Sequence, residues 1–576
     1  MRLLWDLESD GLLQEVSKVW CIATLDIDRG TTRSFRPNQI LEAIEYLSKA
    51  EVLIGHNIIA YDLPVMNKLY GWVPNATIKD TLVMSRTMYP NMMELDVIFM
   101  RKLQKKGVLF PPNLIGKHSL AAWGYRLNNG KDHYEDWTHF TEEMMSYCEQ
   151  DIQTNFTLWE KLQRRNENGK WNQALELEHN VHTNLMRMEK EGVPFNLPAA
   201  LNLKEELASR KLIIYNELQE VFPPKVLQLK TKEKLIPFNP GSRKQIGERL
   251  MAIGWKPKKL TELGNVILDE PTLDAIVETY QDKVPAVKVL GEYLMLSKRL
   301  GQLSEGKESF LHAVGADGKV HGRMNHMGCV TSRCSHNAPN MGQVVAAGSP
   351  YGKEFRSLFY APEGYSFVGS DVSGLELRML AHYMFPYDDG EYANEVLNGD
   401  IHTKNMKAAG LENRNQAKTF IYGFLYGAGA EKIGKIVGKG IKEGQRLIDN
   451  FLTATPALQK LRDNVRKAAE RGYLKGLDGR EIPVRHNHAS LNTLLQGNGA
   501  IICKTWYNYI CSRADGVDAK VVLYVHDEVQ TIVKNSYIET FQPVSQEGIR
   551  YAQNLYNIRV QLDTETKTGN TWYATH

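Results

Sequence analysis

Val521-Val522-Leu523-Tyr524-Val525-His526-Asp527-Glu528-Val529-Gln530-Thr531-Ile532-Val533 sets two acids between two apolar runs. Two runs rich in β-branched and aromatic residues flank His526-Asp527-Glu528, so the segment reads as a strand hairpin that lifts two carboxylates to its tip. Neighbouring strand residues face opposite sides, so Asp527 and Glu528 converge on one cation only where a tight turn breaks the alternation. Taken alone, such a turn is more often a plain polar bend than a catalytic one.

The 576 residues exceed what one hydrophobic core supports, which predicts several domains. A hydrophobic content of 43% and a charged content of 24% are ordinary for a soluble protein. No run of about 18 apolar residues exists to span a bilayer. Acids in Met1-Arg2-Leu3-Leu4-Trp5-Asp6-Leu7-Glu8 come too early for a secretory signal, so a cytoplasmic location is expected. The six cysteines are scattered, and Cys329 with Cys334 lacks a companion pair at zinc spacing. Reduced thiols, no structural disulfide and no zinc are therefore expected. The net charge of +3 does not identify a polyanionic partner, because positive charge can be carried in local stripes. Lys225, Lys230, Lys232 and Lys234 form one cluster, Lys256, Lys258 and Lys259 a second, and Lys298-Arg299 ends a helical pattern. Each could equally be a solvated face.

In the N-terminal part, Asp6 and Glu8 share one face of an apolar strand, where paired carboxylates are costly without a cation. Val52-Leu53-Ile54-Gly55 leads through His56-Asn57 to Asp62, which is expected to cap a helix with Pro64 in its first turn. Glu142 to Asp151 reads as helix, with Tyr147 and Asp151 on one side. Asp6-x-Glu8, Asn57 with Asp62, and Tyr147-xxx-Asp151 resemble the three motifs of the DEDD superfamily of 3′→5′ exonucleases, subgroup DEDDy. That resemblance implies a two-metal hydrolase in which Asp6, Glu8, Asp62 and Asp151 hold the ions and Tyr147 orients the attacking water. Polar residues from Arg164 to Gln173 mark the expected end of this block, near Trp171.

From Leu175 to about Gly306 the pattern is helical and basic, with a turn expected at Val193-Pro194-Phe195-Asn196 and a helix from Val289 to Gly301. Cations on such a helix suit a phosphate backbone, and they also favour a helix C-terminus regardless. Gly318 to Met324 reads as a strand. Tyr365 to Asp371 reads as a strand giving way to a helix, where Asp371 either ligates a metal or caps that helix, with Glu376 in its first turn. On the helix from Asn413 to about Tyr426, residues Arg414, Lys418, Tyr422 and Tyr426 recur every four positions, a stripe of two cations and two rings. Such a stripe suits a nucleoside triphosphate, the cations meeting phosphates and a ring meeting the base.

Asp371-Val372-Ser373-Gly374-Leu375-Glu376-Leu377-Arg378, Arg414-xxx-Lys418-xxx-Tyr422-Gly423 and Val525-His526-Asp527-Glu528 together resemble motifs A, B and C of family A DNA polymerases. Asn398-Gly399-Asp400-Ile401-His402-Thr403-Lys404-Asn405 brings the resemblance closest to replicative enzymes of T-seven-type short-tailed phages. It implies a multidomain α/β and α+β chain, an RNase H-like exonuclease domain at 1–171 followed by a right-hand polymerase. The thumb would occupy 172–307, the palm 308–383 and 492–576, and the fingers 384–491. Asp371, the carbonyl of Val372 and Asp527 would hold two Mg²⁺ ions, as would the exonuclease acids, with Mn²⁺ as a substitute. Glu528 and Lys418 join the catalytic set. The triphosphate would meet Glu376, His402, Arg414, Lys418, Tyr422 and Tyr426, with Glu376 and Tyr426 crowding the sugar 2′ position. Arg333, Gln343, Gln496 and His526 would touch DNA, the first three in the minor groove, where N3 and O2 acceptors recur in every pair.

The implied activity is template-directed DNA synthesis on phage DNA with 3′→5′ proofreading, by a monomer in the infected bacterial cytoplasm. Implied partners are primer-template DNA, deoxynucleoside triphosphates, a phage helicase-primase and a single-stranded DNA-binding protein, with no membrane. Three departures stand out. Thr331-Ser332-Arg333 replaces Thr-Gly-Arg. Tyr422 replaces Phe, which suggests weak rejection of dideoxynucleotides. The segment Val221 to Asn239 is much shorter than the thumb insertion that binds thioredoxin, so thioredoxin is not expected to act here. The competing readings are a single-subunit RNA polymerase, opposed by Glu376 and the exonuclease acids, and a non-catalytic DNA-binding scaffold, opposed by the intact metal positions.

Overall fold

The computed structural model describes all residues except 105–108, 130–133, 229–232, 253, 258–265, 269–271, 273–275, 278–279 and 281–285. Lys230, Lys232, Lys258 and Lys259 of the lysine clusters lie outside the described residues.

The opening apolar run forms β1 (Arg2–Ser9), the centre of a mixed sheet. It pairs antiparallel with β2 (Val19–Asp26), beyond which lies β3 (Thr31–Phe35). On its other edge it runs parallel to β4 (Val52–Gly55), followed by β5 (Thr77–Asp80), giving the order β3-β2-β1-β4-β5. Both faces of β1 are covered, which is why its residues read as a nearly continuous apolar run. Leu3, Trp5 and Leu53 pack with Val65 and Met66 of α1 (Asp62–Tyr70). Leu4 and Ile54 pack with Met144, Cys148 and Ile152 of α2 (Glu142–Arg165).

The next helix, α3 (Asn172–Glu191), belongs to two cores. Trp171, Ala174 and Leu175 are buried with the N-terminal sheet, whereas Leu177, Val181, Leu185 and Met188 are buried with the C-terminal half of the chain. The helix that starts just after Trp171 thus contributes to both cores.

Two long helices, α4 (Leu197–Val221) and α5 (Ala286–Leu300), share a separate core through Leu203, Leu207, Ile214, Leu290 and Leu296. Where a turn was expected, Val193–Pro194 pairs as a short strand with Lys319–Val320, and Asn196 caps α4 through its side chain. The strand expected over Gly318 to Met324 is broken into Lys319–Val320 and Arg323–Asn325. His321 Nδ1 is tied to the Glu189 carbonyl at 2.8 Å, and Met341 packs so close to Gly322 that a Cβ there would meet its Cγ at 2.8 Å. Those two contacts turn the backbone out of the ladder.

The second large sheet is antiparallel. Its central strand β6 (Tyr365–Val372) is followed by α6 (Leu375–Asp388), α7 (Ile401–Ala409) and α8 (Arg414–Leu425). After α9 (Ser490–Ala514) come β7 (Ala519–Val525), β8 (Glu528–Lys534) and β9 (Thr564–Gly569), in the order β7-β8-β6-β9. Helix α9 is apolar around much of its circumference because it is enclosed, with Trp506 and Tyr507 fully buried. Among the described residues no helix is long and apolar enough to cross a membrane.

Candidate active site

The expected hairpin is present, and a two-residue turn at His526-Asp527 joins β7 to β8. His526 adopts φ 61°, the left-handed conformation that breaks strand alternation at the first turn position. The register then places Asp371 of β6 opposite Glu528 of β8, and the Val372 N–H donates to the Asp527 carbonyl at 3.0 Å. Asp371 is not a helix cap: Gly374 is the N-cap of α6 and no side chain caps it. Burial, then repulsion from Asp527 and Glu528, pushes the Asp371 carboxyl up to about 7. Burial, then Glu376, pushes Asp527 up to about 6. Two carboxylates that resist ionisation beside each other are relieved by a cation, so this donor set fits divalent metal.

Glu528 differs. Burial would raise its pKa, but hydrogen bonds from His576, Trp572 and Gln530 prevail and hold it below the ordinary value. Trp572 Nε1–H donates to Oε1 at 2.5 Å, Gln530 donates to the same oxygen at 2.8 Å, and His576 lies 3.1 Å from Oε2. Both oxygens are already engaged, which suits a supporting role.

Glu376 accepts from the Tyr426 hydroxyl at 3.1 Å and pairs with Arg333 at 3.3 Å. Arg333, His526 and Asp527 line one small cavity with Leu375. The departure at Ser332 leaves the backbone left-handed, with φ 63°, so the serine holds a conformation that glycine adopts freely. Gln343 is exposed in the short turn Met341–Gln343, and Gln496 is half-buried on α9.

On α8 the apolar face buries Ala417, Phe420, Ile421, Phe424 and Leu425, leaving Arg414, Lys418 and Tyr426 exposed and Tyr422 half-buried. Asn413 caps the helix. Arg414 Nε donates to Asp400 at 3.0 Å. Burial, then Arg414 and Lys418, lowers the pKa of His402 on α7.

In the N-terminal sheet, ligand atoms of Asp6, Glu8 and Cys148 all lie within 4.8 Å of one another. Asp62 is not the expected cap; it is the first residue of α1, and Tyr61 holds the cap position. Its carboxyl is buried and is pushed up to about 7 by burial and by Asp80. Asp62 Oδ1 has no partner among the described residues, an orphaned buried acceptor that a cation would satisfy. Asp151 is buried on α2, one turn after Tyr147, whose ring lies 5.8 Å from that of Trp137. Asn57, at φ 66°, is fixed by its N–H bond to Asp80 at 2.9 Å.

Sequence reading missed several residues. Asp80 is fully buried and accepts from the N–H groups of Asn57, Ile59 and Leu82 at 2.9–3.1 Å. Glu178, Arg480, Asp478 and Lys504 form a buried ionic cluster, and Trp572 and His576 hold Glu528. Cys148 was detectable from its place between Tyr147 and Asp151. The partners of the others lie too far away in sequence.

Residues 215–574 match the family described as DNA polymerase family A. The chain is 34% identical over 709 aligned positions to the DNA-directed DNA polymerase of Enterobacteria phage T3, with both chains covered completely. It is 34% identical to that of Escherichia phage T7, with 99% of each covered. In fold it resembles the POL domain of Pol1 from M. smegmatis, solved in complex with DNA primer-template and dNTP. That likeness has a TM-score of 0.79 at 18% identity, over all of this chain and 95% of the other. A central β6 carrying Asp371 beside the Asp527 hairpin, facing a cationic α8, is the right-hand polymerase plan, and the chain belongs to DNA polymerase family A and carries out template-directed DNA synthesis.

Proposed function

We propose that synthesis proceeds at Asp371 and Asp527 by two-metal nucleotidyl transfer, and that the N-terminal sheet carries a 3′→5′ proofreading exonuclease. The observation that supports this most is the pair of carboxyls raised to about 7 and about 6 on adjoining strands, opposite α8. Asp371, Asp527 and the carbonyl of Val372 would hold the ions. When bound, Mg²⁺, or Mn²⁺ in its place, stabilises charge on the attacking and leaving oxygens. Glu528, fixed by Trp572 and His576, holds the neighbouring strand in register. Lys418 and Arg414 meet the triphosphate, with His402 donating a hydrogen bond. Tyr422 and Tyr426 shape the base and sugar pocket, and the Tyr426–Glu376 contact crowds the 2′ position. Arg333, Gln343, Gln496 and His526 contact primer-template DNA. Asp6, Glu8, Asp62 and Asp151 would hold the exonuclease ions, and Tyr147 orients water.

The proposed division is exonuclease 1–171, thumb 172–307, palm 308–383 and 492–576, and fingers 384–491. The setting is the cytoplasm of an infected bacterium, with deoxynucleoside triphosphates, helicase-primase and single-stranded DNA-binding protein as partners of a monomer. Thioredoxin is not among them: 709 positions align with a chain of 576 residues, leaving 133 without a residue here, in keeping with a shortened thumb insertion. Asp371→Asn and Asp527→Asn should abolish primer extension while excision of single-stranded 3′ ends persists, and Asp6→Ala should do the reverse. Excision surviving Asp6→Ala would defeat the exonuclease assignment.

A further inference from the structure

Cys148, a core residue of α2, also sets its sulfur beside the carboxylates of β1. It lies on α2 immediately after Tyr147, fully buried, with Sγ 3.6 Å from the Asp6 carbonyl and 4.0 Å from Asp6 Oδ2. With Glu8 it completes a group whose ligand atoms lie within 4.8 Å of one another, a spacing that one ion can bridge. A second observation points to the same place. Asp62, buried on α1 next to Leu7 of β1, has an Oδ1 acceptor without a partner among the described residues. Hard Mg²⁺ has little use for sulfur and retains water among its ligands. Thiolate ligands instead favour softer ions such as Zn²⁺ and Cd²⁺.

We propose that Cys148 adds a sulfur ligand to the Asp6–Glu8 site, so that this site takes a thiophilic divalent cation in competition with Mg²⁺. As the sulfur–metal bond forms, the thiol proton passes to the buffer, and oxidation states do not change. The thiol thereby sets the metal specificity of the exonuclease centre. The inference rests on the exonuclease reading for its consequence but not for the binding itself.

The test uses the full chain with its exposed Cys329 replaced by Ser, titrated with Cd²⁺ without DNA while the ultraviolet sulfur-to-cadmium band is followed. A single saturating equivalent is expected to give a one-thiolate band. Cys148→Ala should remove that band, and Asp6→Ala should weaken Cd²⁺ binding at least tenfold, since even outer-shell losses cost roughly 10–100-fold. Cys148→Ser, nearly isosteric, should also lack the band while keeping the parent far-UV spectrum, which separates ligand loss from misfolding. A band unchanged in Cys148→Ala, or no band in the parent, overturns the proposal. Excision in Mg²⁺ is measured alongside with increasing Cd²⁺, and the inhibitory midpoint should rise at least tenfold in Cys148→Ala. If the parent shows no excision in Mg²⁺, the exonuclease reading fails while the band still judges the sulfur ligand.

Discussion

Replacing Glu178 by Gln should loosen the junction between the two halves of the chain. Glu178 lies on α3 where that helix passes from one core to the other, and it is fully buried. It accepts from Arg480 Nη1 at 2.7 Å, from Lys504 Nζ at 2.7 and 2.8 Å, and from His326 Nδ1 at 2.8 Å. Burial pushes His326 down to about 4, so it is a neutral donor, and the cluster of Glu178, Asp478, Arg480 and Lys504 sums to zero charge. Arg480 keeps Asp478 at 2.6 Å after the substitution. Among the described residues Lys504 keeps only the His326 carbonyl at 2.7 Å and a sulfur contact, so one buried positive charge is left there without a counter-charge. Breaking a buried pair in this way costs about 3–5 kcal/mol. Adding Lys504→Met restores neutrality, and the double-mutant cycle should return a coupling of about 2–3 kcal/mol. Urea unfolding, with hydrogen exchange followed along 172–191 and 490–514, reads both quantities. Burial opposes ionisation of Glu178, but Lys504 and Arg480 prevail and depress its pKa. The sign is therefore fixed: its contribution is complete above the unfolded value of about 4.3 and declines as pH falls toward the folded value. A Glu178→Gln cost under about 1 kcal/mol, or simple additivity with Lys504→Met, would refute the reasoning.

Ser332→Gly should stabilise the protein by about 1 kcal/mol, because it relieves a left-handed serine that is 1% exposed, and an unchanged urea midpoint would count against it. Trp572→Phe removes the 2.5 Å donor to Glu528 while keeping a ring beneath Arg356; it should lower kcat about tenfold, the scale of a hydrogen bond to a charged group. Losing a donor to the ionised form also raises the Glu528 pKa, so the acid limb of the kcat profile should move to higher pH; an unmoved limb would contradict its positioning role. Asp400→Asn preserves the cap of α7 but releases Arg414, so the KM for dNTP should fall about two- to fivefold, whereas a higher KM would mean that Asp400 orients Arg414 for the phosphates. Tyr426→Phe deletes the hydroxyl bond to Glu376 and should raise the ratio of ribonucleotide to deoxyribonucleotide incorporation about tenfold; an unaltered ratio in single-nucleotide extension excludes that contact from sugar selection.

What sequence reading recovered was local. The hairpin around Asp527, the strand ending at Asp371 and the helix from Asn413 each carry their own periodicity, and each is present. The errors arise where a distant contact overrides a local pattern. Asp62 resembled a cap because Pro64 follows it, yet it is the first helical residue, with its carboxylate buried and Tyr61 at the cap position. Gly318 to Met324 resembled one strand until Glu189 and Met341, both distant in sequence, broke it at His321-Gly322. At residues 164–173 the polar composition hides a buried Trp171 that leads directly into α3. Ser332 was identified as a departure, but its φ of 63° could not be read from a residue type that ordinarily avoids that region.

The acids divide by hydrogen bonding rather than by sequence position. Asp527 and Glu528 are adjacent and equally suited to a metal on chemical grounds. Glu528 has both oxygens taken by Trp572, Gln530 and His576 and its pKa held down, whereas Asp527 is raised to about 6. The same contrast separates Asp80 from Asp62. Both are buried and both have raised pKa values, but the two oxygens of Asp80 accept from Asn57, Ile59 and Leu82, while Asp62 Oδ1 has no partner among the described residues. A carboxylate saturated by fixed donors has little to gain from a cation and serves as scaffold. One that is desolvated, repelled by its neighbours and short of donors gains most when a cation arrives. On the proposed reading, Asp371, Asp527 and Asp62 therefore serve the metals while Glu528 and Asp80 support them, a division that depends on partners such as Trp572 and Ile59 that no motif spacing reveals.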